Sequence, residues 1–162
     1  MPQFRKRYYR RCADLRRDLG SLRRERKEIK AIREGTVIDR AFQERLMLAV
    51  TEVNGCRYCA YAHARMALSA GLDQADIDAL SKGSFEGAPP EEVPALLYAQ
   101  HWAETDAQPD PEARQRVVDT YGQSKTEAIE LTLRMIRLGN LLGNTSDYVL
   151  HRLSFGRWGG GA

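Results

Sequence analysis

No run in this 162-residue chain approaches the ~18 consecutive apolar residues that a membrane-spanning helix needs. The basic start also lacks the apolar centre of a secretory leader, so a cytoplasmic, reducing setting is expected. Cysteine and histidine are scarce, three of each. A domain of this length buries roughly 70% of the surface its unfolded chain exposes, so it needs no disulfide or metal to fold. The few thiols are therefore free to do chemistry. No alternation of polar and apolar residues marks a strand, and no internal repeat is present. A composition of 43% hydrophobic and 29% charged residues is that of an ordinary single globular domain.

Charge is plentiful but uneven. Residues 1–34 hold 13 basic and 5 acidic side chains, a balance of +8; the other 128 residues hold 12 and 17, a balance of −5. A basic arm on an acidic body could dock an acidic partner or a nucleic acid, using the arm as a scaffold. A different pattern outweighs that reading. Phe4, Tyr8, Cys12, Leu15, Leu19 and Leu22 recur at helical spacing, so they predict one apolar stripe with the arginines on its wet face. Nucleic-acid binding is not expected, and Cys12 reads as a small buried hydrophobe on that stripe.

Almost everything else also reads as helix. Thr36 to Asp39 resembles a capping box opening "AFQERLMLAVTEV", and Asn54-Gly55 breaks it. A second helix is expected from about Cys56 to Ala70, closed by Gly71. Asp73 can cap "QADIDALSK". "GSFEGAPPEE" is a loop that divides the chain. Beyond it come a helix starting near Pro90, an Asp110-Pro111 start and a capping box at Ser124 to Glu127. The expectation is an all-α bundle of about seven or eight helices in one domain, residues 1–155. Within it lie basic helices over 1–34, a motif-bearing pair over 36–71 and a second half over 89–155. Residues 156–162 are expected to be a flexible tail.

The chemistry concentrates in "EVNGCRYCAYAHARM". Glu52, Cys56, Cys59 and His63 are spaced by four, three and four residues, and the last three share one helix face even if Asn54-Gly55 turns Glu52 away. Cys56 would sit at a helix start, where unpaired N–H groups favour thiolate over thiol. The two sulfurs are close enough to bond with modest adjustment, and His63, one turn after Cys59, can accept its proton. Two other readings share the spacing: a histidine filling the core, and a zinc site whose fourth ligand is Cys12, His101 or His151. His101 and His151 carry no partner spacing of their own.

"FQERLMLAVTEVNGCRYCAYAHARMALSAGLDQADIDAL" resembles the carboxymuconolactone decarboxylase / alkylhydroperoxidase D superfamily. The mark is Glu44, eleven residues, then Cys56-x-x-Cys59-x-x-x-His63. The later "LLYAQHWAETD" and "EAIELTLRMIRLGNLLGNTSDY" look like that family's second half. The resemblance implies an all-helical fold assembling as trimers or hexamers, and a peroxidase or thiol–disulfide activity without metal or organic cofactor. It implies that Cys59 attacks peroxide, that Cys56 resolves the product into a disulfide, and that His63 and Glu44 relay the proton, through a water. It also implies a dithiol donor such as a lipoyl domain or a thioredoxin-like protein. The chain departs from the peroxidase branch at Tyr58, where that branch has a histidine; tyrosine can donate a hydrogen bond but is a poor base near neutral pH. The decarboxylase branch lacks the cysteine pair, so lactone decarboxylation is not expected.

Overall fold

The computed structural model describes residues 3–160. Among them there are eight helices and no strand, in agreement with the all-α expectation. In chain order these are α1 (Cys12–Arg24), α2 (Arg26–Arg33), α3 (Arg40–Asn54), α4 (Arg57–Ser69), α5 (Gln74–Leu80), α6 (Val93–Glu104), α7 (Pro111–Tyr121) and α8 (Gln123–Leu153). None of them is long and apolar enough to cross a membrane.

α3 is the axis of the bundle. Everything from Phe42 to Thr51 is buried, on all sides of the helix. Phe42, Leu46 and Val50 meet Leu96 and Trp102 of α6 and Ile129 and Leu133 of α8. On another side, Leu48 joins Ala67 of α4, Leu72, and Ile77 and Leu80 of α5 in a second, smaller core. A helix this deeply buried must satisfy its polar side chains internally. Gln43 donates to the Ile32 and Ile38 carbonyls, and Arg45 pairs with Glu92 at 3.1 Å. α8 runs unbroken for 31 residues, about 46 Å at 1.5 Å per residue, along the opposite flank.

Several helix boundaries differ from the sequence expectation. The Asp39 carboxylate caps α3 by accepting the Phe42 N–H at 2.9 Å, while Thr36 donates to the Ala31 carbonyl and closes α2 instead. α6 begins at Val93, with proline in its first turn, rather than at Pro90. Asp110 precedes α7 but makes no side-chain cap; its carboxylate faces His101 Nε2 at 3.2 Å. The Ser124–Glu127 box does not form, because α8 already starts at Gln123 and the Thr126 hydroxyl donates to the Gly122 carbonyl.

The largest correction concerns the N-terminal arm. Residues 3–11 are not helical, so Phe4 and Tyr8 do not continue the α1 stripe. They pack instead against the far end of α8, where Tyr8 stacks on Tyr148 with ring centroids 4.1 Å apart and Phe4 meets Tyr148 edge-on. Non-helical backbone leaves peptide groups free for tertiary partners. Tyr9 N–H donates to Thr145 Oγ1, and the Arg7 carbonyl accepts from Asn144. The Arg7 guanidinium takes the Ala103 and Glu104 carbonyls at the end of α6, which have no partner within their helix and favour a cation there. Cys12, expected in the core, is exposed at the start of α1, a helix with no fully buried residue.

At the other end, residues 154–160 turn back on α8. The Gly156 N–H donates to the His151 carbonyl, and Gly159 lies against the Asp147 carbonyl. Residues 1–2 of the expected basic helices and residues 161–162 of the expected tail lie outside the described residues.

The packing sets a contrast. Leu46→Ala, at a fully buried position (0% exposed), should lower unfolding free energy by ~2–5 kcal/mol. Leu19→Ala, at a position 46% exposed on α1, should stay within ~0.5 kcal/mol of the parent. Urea unfolding of both variants checks the ranking.

Candidate redox site

The site begins where α3 stops. Gly55 takes a left-handed conformation (φ 65°), which glycine adopts without the Cβ clash that other residues meet, and its N–H closes onto the Thr51 and Glu52 carbonyls. The next residue, Cys56, is extended and becomes the N-cap of α4. Its sulfur accepts the Cys59 N–H at 3.3 Å, doing for α4 what a serine or aspartate oxygen does elsewhere. Cys56 and Cys59 are joined as a disulfide, with Cα atoms 5.3 Å apart. The two sulfurs differ in access: Cys56 is only 1% exposed, whereas Cys59 is half-buried and lines an open cleft. Glu52 is exposed and lies near Gly83, away from the pair, as the Asn54-Gly55 break suggests.

α8 backs the pair at close range. A Cβ at Gly143 would stand 2.7 Å from Cys56 Sγ and 3.7 Å from Cys59 Sγ. The backbone there is helical, so glycine is required for space and not for its dihedral freedom. The same helix holds the turn. Asn140 accepts from Asn54 and donates to Thr51, while Asn144 donates to the Asn54 carbonyl at 2.8 Å. Asn54 enters the sequence analysis only as part of the Asn54-Gly55 break, and Asn140 and Asn144 are not singled out in it. The glycine pair in "LGNLLG", four residues apart inside a helix, was a usable signal for close approach.

The cleft in front of Cys59 has a volume of about 870 Å³ and brings together Cys59, His63, Glu44 and Tyr58. The Glu44 carboxylate, 1% exposed, lies 2.7 Å from His63 Nδ1. The expected relay through a water is here a direct contact. As a carboxylate, Glu44 accepts a proton-bearing Nδ1, which leaves Nε2 as the ring's acceptor. A third member was not anticipated: Arg40 donates to the other Glu44 oxygen at 3.3 Å. Its spacing, four residues before Glu44 on α3, is that of a helical ion pair.

Tyr58 is held from behind. Its hydroxyl donates to Asp147 Oδ1 at 3.0 Å and accepts from Arg57 at 2.7 Å. Arg57 also reaches Asp147 at 2.8 Å, and Lys6 of the arm reaches its other oxygen at 3.1 Å. Burial alone would raise the Asp147 pKa, but the hydrogen bonds from Lys6 and Tyr58 and the charges of Lys6 and Arg57 outweigh it and hold the carboxyl below its ordinary value. The phenol is therefore committed to Asp147 rather than free as a relay.

Among the described residues, no group of three or more His, Cys, Asp and Glu side chains is placed to hold a metal ion. The zinc reading thus finds no ligand set there. Cys12, His101 and His151 sit on α1, α6 and α8.

Two outcomes follow from the packing around the pair. Gly143→Ala should destabilise the oxidised protein by ~1–3 kcal/mol, because the methyl group must displace a sulfur or the helix; guanidinium unfolding without reductant reads this. Asp147→Asn leaves Lys6 and Arg57 facing an amide and should cost about 3 kcal/mol at pH 7. Asp147 has a depressed folded-state pKa, so its contribution is complete above the ordinary carboxyl value, ~3.9, and fades as pH falls through the folded-state value. Thermal unfolding of parent and variant across pH 7 to 3 should therefore show their gap narrowing in acid.

Searches for similar curated proteins and for similar solved structures return no match. The sequence pattern of the carboxymuconolactone decarboxylase family, however, matches residues 17–105. That span is more than half of the chain and contains Arg40, Glu44, both linked cysteines and His63, leaving the α8 wall and Lys6 of the arm outside. The chain belongs to the carboxymuconolactone decarboxylase family.

Proposed function

We propose that the protein is a thiol peroxidase of the alkylhydroperoxidase D type, cycling Cys56 and Cys59 between dithiol and disulfide. One observation carries the reading: the accessible sulfur of a linked pair opens into the same cleft as a histidine held by a buried carboxylate.

The cycle balances with the groups present. In the reduced protein, His63 Nε2 takes the Cys59 proton, and the thiolate attacks the terminal oxygen of the hydroperoxide. The O–O bond breaks, the alkoxide collects the proton from His63 and leaves as an alcohol, and Cys59 becomes a sulfenic acid. Glu44, with Arg40 behind it, keeps the imidazole oriented and supports its cationic form. Cys56 then attacks the Cys59 sulfur, the S–S bond forms, and hydroxide leaves as water with the Cys56 proton. Two thiols have lost two electrons to one peroxide.

Reduction needs an external dithiol; a lipoyl domain or a thioredoxin-like protein is the donor class we propose. Its thiolate reaches Cys59, since Cys56 lies behind. Cys56 is then the leaving group, and a sulfur at a helix N-terminus leaves readily as thiolate. Second copies of the chain are proposed to cover the apolar residues left exposed on α4 and α8, among them Tyr61, Leu68, Leu142, Val149 and Leu153.

A second reading has its own support. Tyr58 replaces the histidine of the peroxidase branch, and its hydroxyl is engaged by Asp147 and Arg57. A site with one relay group fewer suits thiol–disulfide exchange without peroxide turnover.

Peroxide consumption driven by dihydrolipoamide separates the two. Cys59→Ser should abolish turnover, His63→Ala should lower it ~10²–10⁴-fold, and Cys56→Ser should stop after one turnover with a sulfenic acid on Cys59, seen by mass spectrometry after thiol labelling. Undiminished turnover in Cys59→Ser would refute the proposal. Disulfide exchange without peroxide consumption would leave the second reading.

A further inference from the structure

The cleft holds more than the reacting groups. Its volume of about 870 Å³ is that of a site for a small organic molecule and far exceeds the needs of hydrogen peroxide. Leu22, Ile29, Met47, Met66, Met135 and Ile136 give it mainly apolar walls. Three of these are methionines, whose unbranched, polarisable side chains adapt to flexible apolar ligands.

The cleft is also polar at its far end. It runs along α8 from Gly143, against the sulfurs, to Met135, eight residues or about 12 Å away. α1 and α2 cross this wall antiparallel to α8: Asp18 pairs with Arg137, Glu25 with Arg134, and Ile32 shares a cavity with Ala128 and Leu131. Arg33, the last residue of α2, therefore lies toward the end away from the disulfide. It lines the cleft, is exposed, and has no ion pair or side-chain hydrogen bond among the described residues. The neighbouring Glu34 faces Lys30 instead. The other arginine of the cleft, Arg40, is occupied by Glu44.

We infer that this cleft takes a long-chain organic anion, its carboxylate on Arg33 and its apolar body along the methionine wall, with the hydroperoxide of a fatty-acid-type substrate presented to Cys59. This substrate class rests on the peroxidase reading. The chemistry is unchanged by it: the chain-borne hydroperoxide is reduced to the hydroxy acid and water as the two thiols become a disulfide. The cation at the far end sets which hydroperoxides are held.

Calorimetry with a long-chain hydroxy fatty acid and its methyl ester, both below micelle concentration, reads the cleft without any turnover. The oxidised protein should bind the acid about tenfold more tightly than the ester, as a charge-assisted contact demands. Arg33→Gln should erase that gap by weakening the acid alone, and Arg33→Lys should keep part of it. Equal affinity for acid and ester in the parent protein, or no binding of either, overturns the inference without reference to any variant. A gap that survives Arg33→Gln removes Arg33 from the assignment and overturns it too. Peroxide turnover, measured separately with a small uncharged alkyl hydroperoxide, keeps the two questions apart. Acid-selective binding without turnover sinks the peroxidase reading and leaves the anion cleft standing; turnover without acid selectivity does the reverse.

Discussion

Two carboxylates withdrawn from water govern the construction around the sulfur pair. A buried charge is tolerated only with partners gathered around it, and each acid gathers its set from a different side. Glu44 draws Arg40 from its own helix and His63 from α4. Asp147 draws Lys6 from the arm, and Arg57 and Tyr58 from the first turn of α4. α4 is thus gripped on both sides, with the disulfide between the grips. The need to satisfy two buried acids is what orients His63 toward the cleft and turns the Tyr58 hydroxyl away from it.

Within that frame the two sulfurs have unequal surroundings. Cys56 is pressed against α8 at Gly143 and caps α4 with its own sulfur; Cys59 opens to the cleft. Electrostatics at the helix start and access to the cleft therefore favour different atoms. In the redox cycle we propose, these preferences serve opposite halves: the accessible sulfur meets incoming reagents, and the buried one is the stabilised thiolate when the bond opens.

The parts legible in the sequence were those set by short-range spacing. The Asn54-Gly55 break, the start of α4 at the first cysteine and the Asp73 cap depend on a few adjacent residues and their backbone preferences, as does the shared face of Cys59 and His63. The failures involve distant partners. Phe4 and Tyr8 fall on the α1 stripe by spacing, yet Tyr148 and the carbonyls at the end of α6 offer that segment more than another turn of helix would. Cys12 was misread with them. Arg40 was readable four residues before Glu44, and Gly143 in its glycine pair. Asp147 was not, since nothing local in "NTSDY" reveals that Lys6 and Arg57 converge on it.

Distance along the chain also orders events during synthesis. Arg57 precedes its partner Asp147 by 90 positions. At the ~5–20 residues per second of a translating ribosome, that interval is on the order of five to twenty seconds. Throughout it the cysteines have emerged, but the helix that packs behind them and the acid that grips their turn have not. A newborn chain therefore carries bare thiols before it carries the packing that encloses them.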